Sequence, residues 1–115
     1  MVVTKGDIVL VDFPFTDLSQ TKLRPAVVLW ISSIGEDVAF CAITSQNVQN
    51  LSAEEFAIVS SEPEFQGTGL RVDSKVKVTR IATLNRQMVI RRLGKLGDKY
   101  LNTLNTKMIQ AFQLR

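Results

Sequence analysis

Apolar positions along the chain fall into short runs, broken by polar or proline-bearing stretches. Within Asp7 to Phe13, the consecutive run Ile8-Val9-Leu10-Val11 reads as a strand buried on both faces. The polar stretch that follows is bracketed by Pro14 and Pro25, residues that cannot join a central ladder. It predicts a loop over 14–25, longer than a usual hairpin connection, and long loops in small domains are often functional. Ala26 to Ile34 and Val38 to Thr44 predict two more strands, joined as a hairpin at Gly35-Glu36-Asp37. Beyond a polar connection, Phe56 to Val59 reads as a short strand. Lys75 to Leu84 and Met88 to Leu96 read as two further strands, with a loop over Pro63 to Gly69 before them.

The strand from Lys75 changes phase. Val76 and Val78 share one parity, Ile81 falls on the other, and Arg80 lands where an inward residue is due. A one-residue slip turns side chains to the opposite face, so a bulge or bend near Thr79–Arg80 is expected, with a cation re-aimed by it. The C-terminus has helical spacing. Leu101, Leu104, Met108 and Phe112, joined by Ile109, mark an apolar face over about 98–112, with Asp98 as the expected N-cap after Gly97. The whole is mainly β with a terminal helix, one domain over 1–115, and reads as a small, strongly bent antiparallel sheet or partly open barrel. Strands this apolar on both faces need more cover than one helix supplies, so a homodimer is expected.

Composition narrows the chemistry. At 115 residues, 45% hydrophobic and 22% charged, the chain has ordinary globular usage. A single cysteine, Cys41, excludes an internal disulfide, and the lack of histidine excludes Ser-His-Asp and Cys-His catalysis and histidine-ligated zinc. No metal or cofactor is expected. No run is long enough to span a bilayer and the first residues do not resemble a signal peptide, so the expected compartment is the cytoplasm. Charge is divided along the chain. Residues 1–57 hold 3 Lys/Arg against 7 Asp/Glu, whereas 58–115 hold 11 against 4. Nine cations between Arg71 and Lys99 face only Asp73 and Asp98, which fits either a surface for a polyanion or a solvated charged face.

Four stretches carry a resemblance. Lys5-Gly6-Asp7-Ile8-Val9-Leu10-Val11-Asp12-Phe13, then Lys22-Leu23-Arg24-Pro25-Ala26-Val27-Val28-Leu29, resembles the opening of the MazF/PemK family of toxin endoribonucleases. Ala42-Ile43-Thr44-Ser45-Gln46 is similar to that family's third-strand ending, and Val78 to Asn85 to its later strand; the order is kept over residues 5 to 112. The resemblance implies an SH3-like (CcdB/PemK-type) barrel, a homodimer and a cognate antitoxin that occupies the RNA groove. It also implies metal-independent, sequence-specific cleavage of single-stranded RNA, with Arg24 and Thr44 as the catalytic pair. The chain departs from the family at Ser19, where several members are acidic, with Asp17 two residues earlier. It departs again at Arg80, often Gln, and at Leu84-Asn85, often Ile-Asp, which leaves the cleavage sequence open.

Chemistry supports the pair in part. Attack by a 2′-hydroxyl builds charge on the phosphate oxygens, and a guanidinium fork and a threonine hydroxyl are both suited to meet it. Arg24 is a poor general base, since a guanidinium stays protonated. It reads as a transition-state clamp or a donor to the leaving group, and no base is assigned. Without the resemblance, the solvated loop residue is the favoured reading of Arg24, and Thr44-Ser45 could be turn chemistry. Lys22, Ser45, Gln46 and Arg80 are candidates for RNA contact; Gln46 also suits the turn, and Arg80 an ion pair with an aspartate. Phe15 suits base stacking or anchoring of its loop, whereas Trp30, Phe40 and Phe56 suit core or dimer contacts. Gly6 reads as backbone geometry at a strand entrance. Two other functions fit such a fold: a CcdB-like DNA gyrase poison, and a nucleic-acid-binding module without catalysis.

Overall fold

The computed structural model describes residues 2–14 and 21–114, so Phe15, Asp17 and Ser19 lie outside the described residues. The strands are β1 (Asp7–Pro14), β2 (Thr21–Ile31), β3 (Asp37–Thr44), β4 (Glu55–Ile58), β5 (Ser74–Asn85) and β6 (Val89–Lys95), followed by one helix, α1 (Asp98–Ala111). All pairings are antiparallel, in the order β4-β5-β3-β2-β1-β6. The sheet is bent but not closed, as expected. Among the described residues no helix is long and apolar enough to cross a membrane.

Why the strands are apolar on both faces is now plain: each face has its own core. Ile8, Val27, Cys41, Ile43, Val76 and Val78 face α1 and pack with Leu96, Tyr100 and Leu104. Alternate residues Val9, Val11, Phe13, Val28, Val38, Phe40 and Ala42 form a second core, closed by Ala82 and Leu84 of β5 and by Met88 and Val89. Strands near opposite ends of the sheet thus meet over one core, which requires the sheet to curl. The second face is covered within the chain, so two-faced strands do not by themselves call for a dimer. Phe40 and Phe56 are core side chains, but Trp30 is 52% exposed.

The phase slip in β5 is a bulge. Ala42 pairs with Lys77 while Cys41 pairs with Ile81, leaving Val78, Thr79 and Arg80 without β3 partners. The freed Val78 amide donates to the Glu54 carbonyl at 3.0 Å. Even-numbered residues of β5 accordingly serve the helix-side core before the bulge and the second core after it.

The expected loop over 14–25 is shorter than its polar sequence implied. β1 runs through Pro14, and residues 21–25 already pair with β1, Leu10 opposite Pro25. The β2–β3 ladder starts only at Ala26–Ala42, so Pro25 occupies a one-sided stretch where a missing N–H is tolerated. Gly6 holds φ +92°, and its N–H and C=O bridge Val28 and Leu96, which is the strand-entrance role expected of it. The expected Asp98 cap is not formed. Gly97 is the N-cap, and the Glu64 carboxylate reaches across to accept from Lys99 N and Tyr100 N, each at 3.2 Å. A Cβ at Gly97 would strike that carboxylate. Phe112 lies past the helix end and is exposed, off the apolar face assigned to it. Burial pushes the Cys41 thiol up to about 12, which makes it an inert core side chain.

Glu64→Ala removes a carboxylate from a helix N-terminus and both of its hydrogen bonds. It should cost about 1 kcal/mol, read as a thermal midpoint lowered by a few degrees.

Candidate active site

The site begins where a ladder stops. In the register of Ala26 opposite Ala42, the next residue but one on each strand would set Arg24 against Thr44. Pairing ends before that point: β2 stays with β1, while Thr44 pairs across to Lys75 on β5. The two strands splay, and Arg24, Ile43, Thr44 and Gln46 line both cavities that flank the opening. The smaller, about 170 Å³, adds Phe13, Pro14, Lys77 and Arg80. The larger, about 350 Å³, adds Lys22, Ser45, Arg71 and Arg91 along with apolar residues. All six residues singled out from the sequence therefore border this opening.

Thr44 combines its two readings. Its Oγ1 accepts from the Gln46 amide at 3.2 Å, which is the turn chemistry expected of a strand-end threonine. A hydroxyl has two acceptor positions and one donor. The bond with Gln46 uses an acceptor position, so the O–H remains available as a donor. Arg24 is half-buried, while Lys22, Ser45, Gln46 and Arg80 are exposed.

The basic run between Arg71 and Lys99 divides into two populations. Lys75 is buried, donating to Glu55 Oε1 and the Asn50 carbonyl, both at 2.9 Å. Arg86 lies 2.9 Å from Glu36, a charge contact in which Nε is not aligned for a hydrogen bond. Arg92 lies 3.5 Å from the buried Asp7. These three are structural. Arg71, Lys77, Arg80 and Arg91 instead line the cavities. Lys77, Arg71 and Arg91 had no assigned role in the sequence; their membership of the basic run was the available signal, and parity could not separate them from Lys75 or Arg92.

The model of one protein family matches residues 4–112, described as PemK-like, MazF-like toxin of type II toxin-antitoxin system. The chain belongs to this toxin family. Among solved structures similar to it is an endoribonuclease in complex with its cognate antitoxin from Mycobacterial species, with TM-score 0.74 and 17% identity over 99% of this chain and 98% of that one. An endoribonuclease from Mycobacterial species gives TM-score 0.72 at 16% identity, covering 98% and 93%. The Mycobacterium tuberculosis toxin MazF-mt6 gives TM-score 0.72 at 20% identity, covering 93% and 96%. At these identities the similarity speaks for the fold. No curated protein matches the sequence. The residues of the implied catalytic pair lie on neighbouring strands just beyond the point where the β2–β3 pairing ends.

The Lys75–Glu55 pair ties the segment before β4 to β5 beside the opening. Burial alone would raise the Glu55 carboxyl, but the Ser52 amide, the Lys75 ammonium and the nearby Lys77 charge together hold it below its usual 4.5. A folded value below the unfolded one stabilises above the ordinary range, and this is lost as pH falls through the lowered value. Glu55→Gln, which strands a buried ammonium, should cost roughly 3 kcal/mol at neutral pH. The gap to wild type should narrow in denaturant titrations as pH falls below 4.5.

Proposed function

We propose that this MazF-like toxin is a metal-independent endoribonuclease that cuts single-stranded mRNA at the opening between β2 and β3. The supporting observation is the parting of the ladder after Ala26–Ala42, which leaves Arg24 and Thr44 on facing strand ends in a cation-lined cleft. A 2′-hydroxyl attacks the adjacent phosphorus, and negative charge grows on the equatorial oxygens. The Arg24 guanidinium offers a planar pair of donors to those oxygens, and the Thr44 O–H adds a third. The Gln46 amide already engages Thr44 Oγ1, which restrains that oxygen before substrate arrives. Lys22, Ser45, Gln46 and Arg80 hold neighbouring phosphates and bases. The cleft supplies its charge from side chains, so no cofactor enters the mechanism.

Two partners accompany this reading. A cognate antitoxin would place an acidic segment, folding as it binds, across the same cations. A homodimer is supported by Trp30 and Ile81, both exposed, which share one sheet face through the cross-strand rows Trp30–Ala39–Thr83 and Cys41–Ile81. Light scattering should return twice the 12.8 kDa chain mass, and a monomer mass would overturn the dimer.

Purified protein in EDTA, incubated with a long defined RNA, should produce cuts at a recurring short motif when the ends are mapped. Arg24→Ala should slow cleavage by about 100-fold or more while circular dichroism stays unchanged. Intact RNA together with trapped DNA breaks in a gyrase assay would favour the gyrase-poison reading. RNA that is bound in a salt-dependent way but left uncut would favour a binding module.

A further inference from the structure

Lys77 differs from the lysine two positions before it. Lys75 is buried on Glu55, whereas Lys77 is half-buried, stands opposite Ala42 and lines the smaller cavity with Arg24, Thr44 and Arg80. Glu55 is its neighbour across the β4 ladder, but Glu55 Oε1 is engaged by Lys75 and the Ser52 amide. Lys77 makes no ion pair among the described residues. Lys77 lines the same cavity as Arg24 and Thr44, so a phosphate held by that pair would lie beside its ammonium.

The cleavage chemistry leaves one proton without a donor. As the 2′-oxygen bonds to phosphorus, the bond from phosphorus to the 5′-oxygen breaks, giving a 2′,3′-cyclic phosphate and a 5′-hydroxyl. The 2′ proton leaves to solvent or a base, and the departing 5′-oxygen must gain one. Of the two roles open to Arg24 from its sequence, the clamp is the one that stands, because a guanidinium, on Arg24 or Arg80, does not give up its proton in proteins. Thr44 and Gln46 carry no readily released proton. Among the described residues lining the cavity, that leaves the Lys77 ammonium, which can lose a proton and regain it from water.

We infer that Lys77 is the general acid that protonates the departing 5′-oxygen, while Arg24 and Thr44 hold the phosphate oxygens. The role rests on the endoribonuclease reading. It belongs to this chain's own pattern, Ser74-Lys75-Val76-Lys77-Val78, in which a second lysine repeats the parity of the first.

The test is single-turnover cleavage of an RNA with one cut site, beside the same RNA carrying sulfur in place of the 5′-bridging oxygen at that site. A thiolate leaves without a proton because thiols are far more acidic than alcohols. On ordinary RNA, Lys77→Met and Lys77→Arg should each lose about 100-fold or more in rate, with little change in affinity for an uncleavable 2′-deoxy analogue. On the sulfur RNA both should return close to the wild-type rate. Lys77→Arg keeps the charge, so its loss on ordinary RNA cannot come from a collapsed cation cluster. An equal defect on both RNAs, full activity of Lys77→Arg, or a change confined to affinity would each overturn the acid role. Wild-type cleavage with Lys77→Met unimpaired would sink Lys77 alone. RNA left intact by the wild-type protein would overturn the endoribonuclease reading and the Lys77 role with it.

Discussion

The bulge at Val78–Arg80 is the constraint from which much of this structure follows. A six-stranded sheet of strands apolar on both faces must hide two surfaces, yet the described residues supply only one α-helix to lay over them. Leaving three residues of β5 out of the β3 ladder lets one strand serve both surfaces. Val76 and Val78 pack beneath α1; Ala82 and Leu84, of the same parity, pack in the second core. The same change of direction places Arg80 outside the cores and at the rim of the smaller cavity.

The cleft depends on a complementary failure of pairing. β3 has two neighbours, β2 and β5, and past Ala42 it keeps only β5. The first residues of β2 stay on β1, and Pro25, which lacks an N–H, sits in that one-sided stretch. Side chains that would have faced each other across a closed ladder instead border an opening. The polar ends of Arg24 and Thr44 are therefore presented by strands whose other ends are anchored in two cores. Placement on sheet elements holds such groups more tightly than a loop would.

Charge is sorted by partner. Lys75, Arg86 and Arg92 each lie against a carboxylate, and Lys75 shows what burial demands: two acceptors at 2.9 Å. The cations around the cleft line its cavities instead. Such a surface suits an anionic ligand, and under the proposed function RNA and an acidic antitoxin segment would compete for it.

Much of this was legible along the chain. Runs such as Ile8–Val11 located strands, the parity break located the bulge, and Arg24 and Thr44 stood out through the family pattern, because these signals depend on near neighbours in sequence. Long-range geometry decided the rest. The helix cap came from Glu64 rather than Asp98 because the 62–65 turn packs against the start of α1. Residues 21–25 looked like loop because a strand paired on one side need not alternate, and its partner β1 cannot be read from its own polarity. The two-faced strands foretold burial but not by what, and the sheet's own curl supplied the cover. Lys75 and Lys77 are the sharpest case. They share residue type and parity, and Glu55 stands opposite Lys77 in the register, yet its carboxylate pairs with Lys75; only the tertiary arrangement makes one a buried ion pair and the other a side chain lining the cavity.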